Sequence, residues 1–234
     1  MSYKAHLALN SVKGDLSRHI AYYSKGMLRA TKETQEILSD VERAADAGEF
    51  VAWYQPQFNY DTGKLIGAEA LVRWNHHKKG LMPPSEFLPL LEQSKQISLV
   101  DRIIWEQAIA TERRWLLAGL SVPVSVNVSR VDILDPSVPE TLKSLADKYS
   151  VPPDMIHLEI TESAYIDEPK ELIAAADAFL NAGFIVEMDD FGSGYSSLNI
   201  LKEIDISILK LDMKLVSEIG DGNSKNDSII RSGI

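Results

Sequence analysis

The chain has 234 residues, 45% of them hydrophobic and 25% charged, enough apolar material for one large α/β domain with an appendage. A formal net charge of −10 argues against a polymeric nucleic-acid partner, whose phosphates need a basic face. With no cysteine, disulfides and thiolate metal sites are excluded, and no run approaches the roughly 18 consecutive apolar residues of a membrane span.

Residues 1–48 differ from the remainder of the chain. Residues 3–13 carry helix-like apolar spacing that stops at Gly14, residues 19–23 suit a short strand, and residues 32–47 predict an amphipathic helix with Ile37, Leu38, Val41, Ala44 and Ala45 on one stripe. That helix reads as a linker packed on the main domain.

From residue 49 the pattern becomes regular. Residues 50–58 and 65–74 predict a hairpin turned at Gly63. Prolines at 83 and 84 open a helix with Ser85 as its N-cap, running to 94, and a second helix covers 99–118 up to Gly119. Strands then alternate with helices: strand 124–128, helix 139–148, strand 156–160, helix 169–182, strand 184–188, a short helix near 198–204, strand 206–211 and helix 214–219. Alternation of this kind implies βαβ units and a mostly parallel sheet. Six strands are predicted, fewer than the eight of a closed (β/α)₈ barrel.

Polar residues recur where the apolar runs end. Glu69 lies among Ala68, Ala70, Leu71 and Val72, Glu159 lies between Leu158 and Ile160, and Asp189 and Asp190 close a further run. Asn127 follows Val124 and Val126 and is expected to point the same way as they do. Carboxylates and an amide oxygen, with no histidine among them, suit Mg²⁺ or Mn²⁺ better than zinc. Lys210, between Leu209 and Leu211, supplies the complementary charge, and Arg73 carries a planar fork suited to phosphate. Taken singly, an acid at a strand end is more often a capped or ion-paired residue than a ligand, and Asp-Asp before a glycine turn is an ordinary helix-entry signal. The stretch from His76 to Lys79 reads as a solvated loop rather than a metal site.

Taken jointly, several motifs resemble the EAL domain family, bacterial phosphodiesterases that hydrolyse cyclic di-GMP. They are Tyr54-Gln55-Pro56, Glu69-Ala70-Leu71-Val72-Arg73-Trp74, Asn127-Val128-Ser129, Leu158-Glu159-Ile160-Thr161-Glu162, the run from Asp189 to Leu198, and Lys210-Leu211-Asp212. The resemblance implies a modified TIM barrel with an antiparallel first strand, binding two Mg²⁺ or Mn²⁺ ions. It implies Glu69, Asn127, Glu159 and Asp189 as ligands of the first metal, with Asp189 and Asp190 sharing the second. Lys210 would hold the nucleophilic water, Glu162 would steady the Asp-Asp-Phe-Gly turn, and Gln55, Leu71 and Arg73 would contact the dinucleotide. The implied product is linear pGpG, and the 189–198 loop is expected to join a homodimer interface.

Residues 1–30 resemble the tail of a GGDEF domain, so the predicted organisation is 1–48 GGDEF tail and linker helix and 49–234 EAL domain. An upstream sensor or GGDEF domain in a longer parent protein is expected, cytoplasmic here and compatible with a membrane anchor elsewhere in the parent. Family members continue with a Glu-Gly-Val-Glu segment and a later Gln-Gly motif, neither of which occurs before Ile234. The barrel is therefore expected to be incomplete at its C-terminus and this chain alone weak or inactive. The alternative is a non-catalytic module that binds cyclic di-GMP or a protein partner.

Overall fold

The computed structural model describes residues 3–10, 20–167, 169–192 and 203–213. Helix α1 (Tyr3–Asn10) precedes α2 (Lys25–Asp46), which starts earlier than the apolar stripe predicts because the Ser24 hydroxyl accepts the Met27 N–H at 3.4 Å and caps it. Residues 20–24 run irregularly into that cap, so the strand predicted at 19–23 is absent from its described part. Ile37, Val41 and Ala44 of α2 are buried in the main core, which is the stripe that the apolar spacing predicts.

Strands β1 (Phe50–Phe58) and β2 (Leu65–His76) form the antiparallel hairpin, with Gly63 at φ 64° in the turn. A three-residue strand β3 (Gly80–Met82), too short to leave a period in the sequence, pairs back on β2. Next come α3 (Pro84–Ser94), α4 (Ile97–Leu117), β4 (Val124–Asn127), α5 (Arg130–Ile133) and α6 (Val138–Tyr149). They are followed by β5 (Ile156–Thr161), α7 (Glu162–Asp167), α8 (Pro169–Asn181), β6 (Ile185–Phe191) and β7 (Ile208–Leu211). In α3 the N-cap position belongs to Pro83, not Ser85: Pro84 takes the first helical position, where its missing N–H costs nothing. The predicted elements at 198–202 and 214–219, and the helix stop at Gly14, lie outside the described residues.

Among the described residues the sheet has seven strands rather than six, ordered β1-β2-β4-β5-β6-β7 with β3 on the far end of β2, and every pairing from β2–β4 onward is parallel. Among the described residues β1 and β7 do not pair, so the barrel is open between them. The free edge of β1 is covered by α4: the Gln107 amide accepts the Ala52 N–H at 2.9 Å and donates to the Phe50 carbonyl at 2.8 Å. No helix among the described residues is long and apolar enough to cross a membrane.

One face of the sheet carries the core. Ala70 and Trp74 of β2, Val124 and Val126 of β4, Leu158 and Ile160 of β5, and Val186 and Met188 of β6 are all buried in a single apolar cluster with the helices. Phe50, Trp74 and Phe87 stack within it, Trp74 lying 4.7 Å from Phe50 and 5.4 Å, edge-on, from Phe87. Period-two alternation then turns the residues between these onto the opposite face.

Candidate active site

The opposite face is built from the residues between the core positions: Gln55 of β1, Glu69, Leu71 and Arg73 of β2, Ser125 and Asn127 of β4, His157 and Glu159 of β5, and Glu187 and Asp189 of β6. Asn127 thus points away from Val124 and Val126, contrary to the sequence expectation. It is three residues from one and a single residue from the other, so it has the parity of Ser125. Register brings these side chains level: Gln55 lies opposite Glu69, Asn127 opposite Glu159, Glu159 opposite Glu187 and Thr161 opposite Asp189.

Lys210 stands at the centre. Its ammonium donates to Glu159 Oε1 and lies 3.5 Å from Glu69 Oε2 and 3.6 Å from Glu187 Oε2. Glu159 is 1% exposed and its Oε2 is buried with no hydrogen-bond partner. Burial pushes the Glu159 carboxyl up to about 8, Glu69 and Glu187 add to that, and only Lys210 opposes it. Burial acts to lower the Lys210 pKa, but the carboxylates of Glu159, Glu69 and Glu187 outweigh it and hold the lysine charged. Three acids crowd one ammonium, burial drives the Glu159 carboxyl toward its neutral form and one of its oxygens has no partner, a condition that a divalent cation with oxygen ligands relieves.

Glu187, His157 and Ser125 belong to this network although no motif marked them. Glu187 accepts from the Ser125 hydroxyl at 3.4 Å and meets His157 Nδ1 at 2.5 Å. Burial works to raise the Glu187 pKa, yet the bonds to His157 and Lys210 hold it below the ordinary value. Each sits two residues before a motif residue (Asn127, Glu159, Asp189), so stepping each motif inward by one period would have found them.

Asp189 and Asp190 fall where the β6–β7 register shifts between Met188 and Phe191, and Asp190 takes φ 55°. Such a bulge sends adjacent carboxylates in different directions. Burial, then repulsion from Asp189 and Asp212, raises the Asp190 pKa. Directly after this bulge the Gly192 N–H donates to Glu162 Oε2 at 2.9 Å, and Glu162 is fully buried. The residues of the expected dimer loop from 193 to 198 lie outside the described part of the chain.

A cavity of ≈ 600 Å³ opens beside the cluster, lined by Glu69, Leu71, Leu88, Asp101, Asn127 and Ser129 among others. At its wall Asp101 is forced up by burial and shares a hydrogen bond with Asp132, which the Ser129 hydroxyl also bonds at 2.5 Å. Arg73 is not drawn to Glu69. Its Nη1 donates to the Val72 carbonyl at 2.8 Å and its guanidinium lies 5.5 Å from the centroid of the Trp53 ring.

A second group of possible metal ligands, Asp40, Glu49, His76 and His77, lies at the corner of α2, β1 and β2. His76 is 6% exposed, so this stretch is less solvated than the sequence predicts. The place of a cation there is taken by Arg43, which donates to Asp40 at 2.6 Å, to Glu49 at 2.7 Å and to His77 Nδ1 at 2.8 Å. His76 Nδ1 accepts the Lys78 N–H at 3.1 Å, which leaves the proton on Nε2, the nitrogen a metal would need.

Known proteins resemble this chain in sequence and fold. The model of the EAL domain family matches residues 38–234, and the chain belongs to that family. Cyclic di-GMP phosphodiesterase RocR of Pseudomonas aeruginosa is 37% identical over 185 residues, 78% of this chain and 46% of RocR. The bifunctional diguanylate cyclase/cyclic di-GMP phosphodiesterase MucR of the same species is 29% identical over 98% of this chain and 33% of MucR. This chain therefore spans less than half the length of these curated relatives. Among solved structures, the MucR phosphodiesterase in complex with c-di-GMP superposes with a TM-score of 0.76 at 30% identity, covering 84% of this chain and 80% of that one. The EAL enzyme Bd1971 in its cAMP- and cyclic-di-GMP-bound form gives 0.76 at 25% identity, over 97% of this chain and 59% of that one. These neighbours identify the open, mostly parallel sheet as a TIM-barrel-like α/β fold.

Proposed function

We propose that this domain hydrolyses cyclic di-GMP to linear pGpG and so lowers a bacterial second-messenger signal. The observation that carries the reading is the convergence of Glu69, Glu159 and Lys210 at one end of the parallel strands, with a buried carboxylate oxygen left over. The c-di-GMP complex of the MucR phosphodiesterase, which shares this fold at 30% identity, supports the choice of substrate.

In this reading Glu69, Asn127, Glu159, Asp189 and Asp190 would hold Mg²⁺ or Mn²⁺. The metal supplies Lewis-acid neutralisation of charge on the phosphoryl oxygens. Lys210, kept charged by its acidic neighbours, orients the attacking water. Gln55, Leu71 and Arg73 contact the dinucleotide, and Glu162 fixes the turn after Asp190 through the Gly192 N–H. Residues 1–48 form the GGDEF tail and linker of a longer cytoplasmic sensor protein, and the 189–198 loop contributes to a homodimer.

The test is incubation of the purified protein with cyclic di-GMP and Mn²⁺, with products separated by ion-exchange chromatography. Linear pGpG is expected, and Glu69→Ala should lower its formation by roughly 100-fold or more while nucleotide binding persists. Turnover unchanged by Glu69→Ala would remove the assignment.

A further inference from the structure

Of the tryptophans, Trp74 and Trp105 are fully buried, but Trp53 is 51% exposed. Exposure alone marks nothing, since Tyr60 and Phe58 are more exposed still; the position of Trp53 sets it apart. Trp53 is directly across the strand pair from Leu71, two residues from Gln55, and on the face that carries Glu69. Its ring is flanked by the Arg73 guanidinium at 5.5 Å, a cation–π pairing that holds the planar donor fork beside the indole. An exposed aromatic face beside a fixed guanidinium, at the rim of an acidic phosphodiester site, matches one nucleotide unit: a flat base to stack and a phosphate to pair.

We propose that Trp53 is the stacking platform for one purine base of the cyclic dinucleotide, and that it thereby sets a preference for purines over pyrimidines. This rests on the functional reading above. Stacking energy grows with ring area, so a two-ring base gains more from the indole than a one-ring base. The indole also props Arg73, and the two roles predict different results: a prop serves every cyclic dinucleotide alike, whereas a stacking surface favours the larger base.

The experiment is calorimetric titration of the intact protein with cyclic di-GMP and with cyclic di-UMP, for the wild type, Trp53→Phe and Trp53→Ala, alongside tryptophan emission. The ring is exposed, so neither variant removes core packing. Trp53→Ala should weaken both ligands, cyclic di-GMP by roughly 5-fold more than cyclic di-UMP, and abolish a ligand-induced change in emission seen in the wild type. Trp53→Phe should bind within about 3-fold of wild type. Equal weakening of both ligands, or none, would overturn the stacking role while leaving the phosphodiesterase reading in place. A wild-type protein that binds no cyclic di-GMP would overturn both.

Discussion

Glu112 of α4 is fully buried, and neither carboxylate oxygen has a partner. Burial alone raises its pKa from 4.5 to about 7. The sign follows from proton counting: between those values the folded chain holds a proton that the unfolded chain has released. The stability this gives is complete below the unfolded value of 4.5 and is lost as pH rises through about 7. The size is on the order of 3 kcal/mol. Urea unfolding from about pH 5 to about pH 8 should show that decline, and Glu112→Gln should make it shallower, the remainder belonging to Glu159. A Glu112→Gln protein with an unchanged pH slope would assign the decline to another group. At this scale the acids that close apolar runs are legible in the sequence, because a lone carboxylate among aliphatic residues is conspicuous. Glu187 and His157 are less conspicuous: stepping inward by one period reaches them, and the Lys210 contact to Glu187 gives them their place in the site. Asn127 is legible as a ligand candidate, but its face emerges only from strict parity: an odd separation from both Val124 and Val126 turns it away from them.

Among the elements, the hairpin is the most legible. The bounds 50–58 follow from alternation ending in an Asn-Tyr-Asp-Thr-Gly turn, and β1 occupies Phe50–Phe58. Helix ends set by propensity alone differ by a few residues, since the Ser24 cap and Pro84 at the first helical position decide them. Strand β3 is invisible in the sequence because three residues carry no period. What holds the hairpin against the helices is the aromatic trio of Phe50, Trp74 and Phe87, with the Trp74 indole N–H donating to Glu49 at 3.0 Å. Trp74→Ala should cost about 3–5 kcal/mol, read as a lower denaturation midpoint. Because Trp74 is on the core face, cation uptake by the folded fraction should be unchanged. A loss below about 1 kcal/mol would mean that the trio is not a principal support of the hairpin.

Across the whole molecule, one division of labour explains the fold. Alternation puts aliphatic and aromatic residues on the helix-covered face of the sheet and collects acids, an amide and a lysine on the other. The helix-covered face supplies the stability needed to hold Glu159 and Lys210 nearly out of water. Arg43 ties α2 to the start of the hairpin that carries Glu69, Asp40 and Glu49 being its acidic partners. The most direct test of the account is Mn²⁺ uptake followed by electron paramagnetic resonance in wild type, Glu159→Gln and Asp189→Asn. The account predicts saturable uptake by the wild type and a loss of affinity of roughly 10-fold or more in each variant. Uptake that ignores both substitutions would contradict it.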